Sequence, residues 1–310
     1  MSDDSGEKAE YHFTGGRIDD DGQSLVLTAV RDDIEEALEK RMYLFFYYTG
    51  EWTKSYVDNL IADIRSFDTE DGPTLISVAP DGEVIRSIPE DADYAQVDPT
   101  DNGPNDLRAI KGLSKLGNTL LCYGMRRQVY RSDLRAMRWV RADSGVFVTD
   151  DEDEVAGFLG LDGTWPDNLV AVGMQGDLWT KRKKWVRREV PTNVNLTGVK
   201  MLEDGRAVVC GGAGVVLIGR DDTWDIVPND ATEANFWDIA EFKGKLYLAA
   251  ETGGLFTIED GAVVAVDLPK GMIEDVSALD ANAGKLLLIG DQQVVWFDGE
   301  SWTDLEAPII

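Results

Sequence analysis

Short apolar runs separated by polar, glycine-containing turns recur along the whole chain. The clearest copies lie at 205–212, 244–251 and 284–291, and each is a glycine followed by a mostly apolar run. They begin about forty residues apart, and each period has room for three further strand-sized segments, with a tryptophan often in the last hairpin. Four short strands per unit at this spacing predict a β-propeller in which each unit is one blade.

Extended over the chain, the repeat predicts an all-β propeller of seven four-stranded blades in a single domain of residues 10–310, after a flexible segment 1–9. The predicted blades span about 10–57, 58–100, 104–141, 155–190, 195–228, 235–268 and 272–305. Because all seven units are complete in chain order, we expect the ring to close by packing the first blade against the seventh, without an exchanged strand. A six-bladed ring with an N-terminal cap is the alternative.

One charged segment interrupts the first blade. Within 31–41, Ile34, Ala37 and Leu38 have the i, i+3, i+4 spacing of one helix face. Asp32 and Asp33 stand where a helix N-terminus favours negative charge. We therefore predict a short helical insertion between the second and third strands.

Composition and charge narrow the function. The chain has 310 residues, 43% of them hydrophobic, and a formal net charge of −28. Nucleic acid and anionic membranes would be repelled, so the acidity indicates a basic protein partner or, equally, an adaptation to solubility or high salt. No apolar run approaches the roughly 18 residues of a membrane span and no leader pattern opens the chain, so we expect a cytoplasmic protein. Cys122 and Cys210, two units apart, are expected as buried thiols.

Two tryptophan-bearing hairpins carry a family resemblance. In the hairpin at 130–139, Ser132, Asp133 and Trp139 match the pattern Ser/Thr-x-Asp-x-Gly-x-Thr-Trp without its glycine, and 178–185 keeps the tryptophan. These hairpins resemble the Asp-boxes of sialidase-like propellers. The resemblance implies a propeller of that broad kind over most of the chain, and it transfers no catalytic residue.

Residues for catalysis are scarce. His12 is the single histidine, which leaves no basis for a multi-histidine metal site and little for a Ser-His-Asp triad. The acidic runs at 19–22 and 150–154 lack the spaced oxygens of an EF-hand, and 211–214 has no helix after it to bind phosphate. We predict no catalytic residue, no metal and no cofactor.

The blade template assigns charges to two faces. With strands named a to d from the inside outwards, the b–c loops and d–a connections share one face, called the top, and the a–b and c–d turns share the bottom. The residues predicted to form a partner-binding top face are Asp32, Asp33, Glu35, Glu36, Glu39, Glu90, Asp91, Asp93, Asp150, Asp151, Glu152, Asp153, Glu154, Asp230, Glu233 and Trp237. A basic patch is predicted on the bottom, formed by Arg135, Arg138, Lys181, Arg182, Lys183 and Lys184. It is either ordinary solvation of strand edges or a second contact with an anionic ligand.

These observations favour a non-enzymatic, protein-binding propeller whose acidic face holds a basic partner, with Phe236, Trp237 and, if its turn reaches a rim, Trp165 as aromatic anchors. The most specific hypothesis is a bacterial immunity-type protein that covers a cationic toxin such as a nuclease. A scaffold or assembly factor for a larger complex, and a glycan-binding or glycosidase-like propeller, are the alternatives.

Overall fold

The computed structural model describes residues 10–20, 22–32, 41–107, 109–148, 156–282 and 284–307. These residues form seven antiparallel sheets of four strands each, and every sheet is built from four consecutive strands. The predicted all-β propeller with seven blades is therefore confirmed, and the six-bladed alternative is excluded. The predicted helical insertion in the first blade lies at 33–40, outside the described residues.

The first four blades are built from strands of uneven length. Their strands are β1 (Tyr11–Ile18), β2 (Ser24–Arg31), β3 (Met42–Tyr48) and β4 (Glu51–Val57); β5 (Asp63–Thr69), β6 (Gly72–Val78), β7 (Glu83–Ile88) and β8 (Asp91–Gln96); β9 (Ile110–Leu116), β10 (Thr119–Gly124), β11 (Val129–Asp133) and β12 (Val140–Arg141); and β13 (Phe158–Thr164), β14 (Asn168–Gly173), β15 (Leu178–Lys181) and β16 (Trp185–Arg188). One helical turn, α1 (Pro104–Leu107), precedes the third blade.

The last three blades follow with short connections. Their strands are β17 (Leu196–Met201), β18 (Ala207–Gly211), β19 (Val216–Arg220) and β20 (Thr223–Ile226); β21 (Phe236–Phe242), β22 (Lys245–Ala250), β23 (Leu255–Glu259) and β24 (Ala262–Ala265); and β25 (Ala278–Asn282), β26 (Lys285–Ile289), β27 (Val294–Phe297) and β28 (Trp302–Asp304). Short 3-10 turns at Met174–Gly176 and Gly212–Gly214 lie in b–c loops.

Burial explains why the second strand of each blade has the clearest pattern in the sequence. Strand β18 is buried along its whole length, and β26 is buried at four of its five residues. Such strands lie between two neighbouring blades and are apolar on both faces, so they read as continuous hydrophobic runs. The outermost strands β4 and β8 have no buried residue and are largely exposed, which is why the d strands are the weakest elements of the repeat.

The glycine that leads the repeat belongs to the turn between the first two strands of a blade. Gly205, Gly244 and Gly284 have φ values of 82°, 75° and 86°. Residues with a Cβ rarely adopt this left-handed region, and tight hairpin turns require it. The forty-residue spacing of the frame is therefore the spacing of these turns.

The hydrophobic core is a ring of clusters between adjacent blades. Each cluster joins residues of two neighbouring blades, as where Phe158 of the fourth blade meets Leu121 of the third. The cluster between blades one and seven contains Phe13, Leu27, Leu287 and Ile289, all nearly inaccessible. Cys122 and Cys210 are free and lie in two different clusters, as expected of core thiols, and burial raises the pKa of the Cys210 thiol to about 12.

Ring closure uses side chains and backbone without exchanging a strand. The backbone N–H of Phe13 in blade one donates to the carbonyl of Asp291 in blade seven at 2.7 Å. The indole N–H of Trp52 donates to the carbonyl of Leu305 at 3.1 Å. These contacts confirm closure by packing of the first blade on the seventh. Among the described residues, no helix has the length and apolar character needed to cross a membrane.

Candidate protein-binding face

Exposed carboxylates gather on the top face over blades six, seven and one. Asp230 and Glu233 lie in the connection that enters blade six, and Glu274 and Asp275 lie in the connection that enters blade seven. Three further carboxylates come from the top loop of blade seven and from the ends of the first two strands of blade one. We call this set the acidic arc: Glu10, Asp32, Asp230, Glu233, Glu274, Asp275 and Asp291.

Several members of the acidic arc are free to face a partner. Within the part of the chain that the structure describes, no lysine or arginine side chain forms an ion pair with Asp230, Glu233 or Glu274. Lys270 is an exposed cation in the same connection as Glu274. Carboxylates without internal partners attract cationic groups from solution, and their reach is limited by salt.

An exposed tryptophan stands at the inner edge of this face. Trp237 lies near the top end of β21, where a bulge between Phe236 and Asp238 leaves it out of the strand pairing with β22. Its side chain is 44% exposed and lines the mouth of the central channel. Bulges re-aim side chains in this way, and a large exposed ring rimmed by polar groups is typical of an interface anchor. Phe236, the other expected anchor, is fully buried in the core and cannot serve as one.

Beneath this face, the seven inner strands enclose a channel of about 570 Å³. Four aspartates on these strands bridge to the next blade by accepting a backbone N–H. Asp63 accepts from Leu113 at 2.9 Å and Asp280 accepts from Ile18 at 2.9 Å. Asp162 and Asp238 accept in the same way from Met201 at 2.8 Å and from Leu279 at 3.0 Å. We call these four residues the bridging aspartates.

Two arginines balance this negative charge, since Arg17 and Arg65 both form an ion pair with Asp63, Arg65 at 2.9 Å. The Arg17 guanidinium donates to Asp63 at 2.7 Å, and its side chain is only 14% exposed. Burial alone would lower the pKa of Arg17, but Asp63, Asp280 and Asp238 raise it above its usual value. Burial also raises the pKa of Asp238, against the opposing effect of Arg17. The channel is thus a charge network that ties the inner strands of neighbouring blades together.

The single histidine lies within the acidic arc. His12 Nδ1 is 2.8 Å and 2.9 Å from the two carboxylate oxygens of Asp291, and Nε2 is 3.4 Å from Asp32. The hydrogen bond with Asp291 is the main reason that the pKa of His12 is raised, and burial opposes it. Among the described residues, Glu10, His12 and Asp32 are the one group whose donor atoms converge closely enough to hold a metal ion.

Three of the predicted top-face residues lie elsewhere, which corrects the sequence-based placement. Glu90 is in the turn between β7 and β8, where its φ is 68°, and Asp91 pairs with Ile88 across that turn. Asp93 is on the outermost strand of blade two and forms an ion pair with Arg86. The sequence-based placement assigned these residues to the connection after the fourth strand. In the structure β8 already begins at Asp91, after a two-residue hairpin turn, so Glu90 and Asp91 lie on the bottom rim and Asp93 on the outer edge.

The other predictions for the top face divide into two groups. Asp32, Asp230, Glu233 and Trp237 lie on the top face, together in the sector of blades six, seven and one. Outside the described residues are Asp33, Glu35, Glu36, Glu39, Asp150, Asp151, Glu152, Asp153 and Glu154.

The predicted basic patch lies on the bottom face, in the third turns of blades three and four. Half of it is paired within the molecule: Arg135 contacts Glu70 at 2.8 Å, Lys181 contacts Asp167 at 3.8 Å, and Arg182 contacts Asp221 at 3.3 Å. Trp165 is also on the bottom, with the Lys181 ammonium 4.9 Å and the Arg131 guanidinium 5.6 Å from its ring centre. Trp165 is therefore no anchor for the top face, and this pairing favours the solvation interpretation of the patch.

Sequence reasoning missed three parts of the site: the carboxylates of blade seven, the bridging aspartates and the contact between His12 and Asp291. Glu274, Asp275 and Asp291 occupy loop positions of blade seven that the repeat itself assigns to the top, so the signal was present in the alignment of blades. The bridging aspartates all fall within first strands, which is a second signal that aligning those strands would have shown. The approach of His12 to Asp291 had no local signal, because 279 residues separate them.

Comparison with solved structures places the fold among WD40-type propellers. The WD40 β-propeller domain of Doa1 superimposes with a TM-score of 0.68 at 10% identity, covering 95% of both chains. The WD40 repeats of RRP9 give 0.64 at 10% identity, covering 90% of this chain and 87% of that one. At such low identity these likenesses show the fold alone. The resemblance to sialidase-like Asp-box propellers stays a prediction.

Comparison with curated proteins gives a more specific likeness. The chain is 28% identical over 285 residues to the immune protein Tsi7 of Pseudomonas aeruginosa, covering 90% of this chain and 92% of that protein. The match thus extends over nearly the whole propeller. No protein-family model matches the chain.

Proposed function

We propose that this chain is a cytoplasmic, non-enzymatic immunity-type protein that neutralises a basic toxin domain by binding it at the acidic arc. The observation that carries the proposal is an exposed tryptophan, Trp237, on the face where seven carboxylates gather. Within the described part of the chain, all of these carboxylates except Asp32 and Asp291 lack an ion pair with a lysine, arginine or histidine. The full-length similarity to the immune protein Tsi7 supports the same class of function.

The arrangement suits a cationic partner for physical reasons. Carboxylates around the rim raise the rate of encounter with a basic surface, while an aromatic anchor that becomes fully desolvated contributes most of the affinity. The bridging aspartates and Arg17 tie together the inner strands that these loops connect, so the framework that carries the binding groups is ordered before binding.

A nuclease domain is the partner chemistry that fits best. A nuclease presents a basic surface because its substrate is a polyanion. An acidic arc lying over that surface would take the place of the phosphates and keep nucleic acid out, which neutralises the toxin without any chemistry by the immunity protein.

The test first searches the genes that neighbour the gene for this chain for a basic toxin domain, and then uses that domain as the partner. Binding is measured by biolayer interferometry, and protection is measured as rescue of bacterial growth when the toxin is expressed. We expect stable binding and rescue by the wild type. In the variant Asp230→Asn/Glu233→Gln/Glu274→Gln we expect an association rate about tenfold lower at low salt.

A matched control removes three exposed carboxylates from bottom turns, as Glu203→Gln/Asp260→Asn/Glu300→Gln. It changes the net charge by the same amount, so it should bind like the wild type if the top face is the interface. Equal losses in both triple variants would show that total charge, and no particular face, governs binding. Failure of the wild type to bind any basic neighbouring domain would end the immunity proposal.

A further inference from the structure

We propose that Glu10, His12 and Asp32 form a binding site for a divalent transition-metal ion such as Zn²⁺, at the seam between blades one and seven. The inference is independent of the proposed function. Each residue offers one donor atom, and the three donor atoms lie within 4.8 Å of one another. An imidazole nitrogen with two carboxylate oxygens is a ligand set that zinc accepts.

Strand pairing places the three side chains on one face of the sheet. Glu10 and His12 are two residues apart at the start of β1, so they project to the same side. The backbone N–H of Asp32 donates to the carbonyl of Glu10 at 3.1 Å, which continues the pairing of β1 with β2 by one residue and sets Asp32 opposite Glu10. The backbone thus fixes the cluster before any side chain is considered.

The histidine is oriented as in known zinc sites. Because a carboxylate can only accept, the contacts of 2.8 Å and 2.9 Å to Asp291 require the proton on Nδ1. Metal-bound histidines generally make this second hydrogen bond, which fixes the tautomer and leaves the lone pair of Nε2 toward the metal. Asp291 is itself held in place, since its backbone N–H donates to Asp275 at 2.9 Å.

The other ring nitrogen, His12 Nε2, faces the carboxylate of Asp32. This nitrogen atom is buried, and its contact with Asp32 is a long one that falls outside the geometry of a regular hydrogen bond. It lies 3.4 Å from an oxygen of Asp32, longer than the usual 2.7–3.2 Å of a hydrogen bond. Two ligands of a tetrahedral zinc with bonds of about 2.0 Å are about 3.3 Å apart, so this separation matches the edge of a coordination tetrahedron.

Glu10 completes the set from the exposed side. Its side chain is exposed, so it can rotate toward a bound ion at little cost, and water would take the fourth position. A bound ion would link the start of β1 to the end of β2. Through the hydrogen bond between His12 and Asp291, it would also stabilise the contact with blade seven. We expect the metal to raise the thermal stability of the ring.

The experiment titrates untagged, chelator-treated full-length protein with Zn²⁺ at about pH 8, because a proton on Nε2 would compete with the metal. His12 is the single histidine, so its ring nitrogens can be followed by NMR without assignment of other residues. We expect saturable 1:1 binding by calorimetry, a large change at the Nε2 resonance with Nδ1 still protonated, and no displacement by excess Ca²⁺.

Variants distinguish a specific Zn²⁺ site from nonspecific attraction of the cation to an acidic protein. His12→Ala and Asp32→Asn should abolish the 1:1 site, and Asp291→Asn should weaken it about 10- to 100-fold. Glu274→Gln removes another carboxylate of the acidic arc outside the cluster and should leave the affinity unchanged. Unsaturable binding, equal binding by His12→Ala, or an Nε2 resonance that Zn²⁺ does not change would overturn the proposal.

Discussion

The acidic arc and the bottom turns of blades five and six are both built from short loops, yet their carboxylates differ in how they are paired. On the bottom, acidic and basic side chains pair within the molecule, as in Arg206 with Asp204 at 2.7 Å and Lys245 with Glu259 at 3.0 Å. On the top, Asp230, Glu233 and Glu274 have no such cation among the described residues. Carboxylates that are paired within the molecule attract a cationic partner less than unpaired ones do, so this difference supports the proposed role of the acidic arc.

The largest expected effect comes from the network that supports both faces. Arg17→Met removes the less exposed of the two arginines that pair with Asp63, and removing one partner of a largely buried charged network costs about 3 kcal/mol. Urea denaturation should show this loss in the free energy of unfolding. Arg206→Met, which removes an exposed arginine from a bottom turn, should leave the midpoint unchanged. An unchanged urea midpoint for Arg17→Met would mean that the charges in the channel do not stabilise the contacts between blades.

The second effect tests the aromatic anchor. Trp237→Ala should weaken binding of the toxin domain by about 2 kcal/mol or more, which is about 30-fold in Kd, because anchors of this kind dominate interface energies. The melting temperature should stay near that of the wild type, since the ring is already 44% exposed. Tyr94→Ala serves as control, because Tyr94 is an exposed aromatic residue on the outer strand β8. Equal loss in both variants would argue against an interface centred on Trp237.

A smaller effect concerns salt. Raising ionic strength from about 0.01 M to 0.15 M shortens the screening length from about 30 Å to about 8 Å. The association rate of the wild type should fall steeply over this range, with a much smaller change in the dissociation rate. Stopped-flow fluorescence of the complex measures both rates. An association rate independent of salt would contradict a role for the acidic arc in encounter.

The smallest effect is expected on the bottom face. Glu70→Gln removes the charge of an exposed carboxylate that contacts Arg135. The hydrogen bond from Arg135 and its positive charge lower the pKa of Glu70. Exposed pairs of this kind contribute little, so neither the melting temperature nor toxin binding should change measurably. Calorimetry and interferometry give the two values. A clear loss of toxin binding would indicate that the interface lies on the bottom face and would contradict the proposed role of the acidic arc.

Much of the architecture was predictable from local pattern, and the reasons are specific. Strand β26 reads as a continuous apolar run because it is buried between two blades, and Gly284 marks the turn before it because that turn requires a positive φ. The outer strands carry weaker patterns because they are half in solvent. That weakness misplaced Glu90, Asp91 and Asp93, since the start of β8 could not be read from its alternating polar residues.

The candidate site was predictable in kind and only partly in position. The blade template predicted an acidic top face and an exposed position for Trp237. It did not predict that Phe236 is buried. Packing against Phe256 and its neighbours decides which of these two adjacent rings points into the core. The ion pairs of the bottom cations with Glu70, Asp167 and Asp221 join residues of different turns. Residue spacing within one strand therefore cannot predict them.

By itself, the sequence determined seven blades, their order and which loops share a face, because these depend on hydrophobic periodicity and turn residues within each blade. Only the tertiary structure decided which charges meet. His12 reaches Asp291 because closing the ring brings the first strand against the last blade. Arg17 contacts Asp63 and is near enough to Asp238 and Asp280 for their charges to raise its pKa, because the inner strands of all blades converge on one channel. Contacts across that seam depend on the geometry of the whole ring, and no local pattern encodes them.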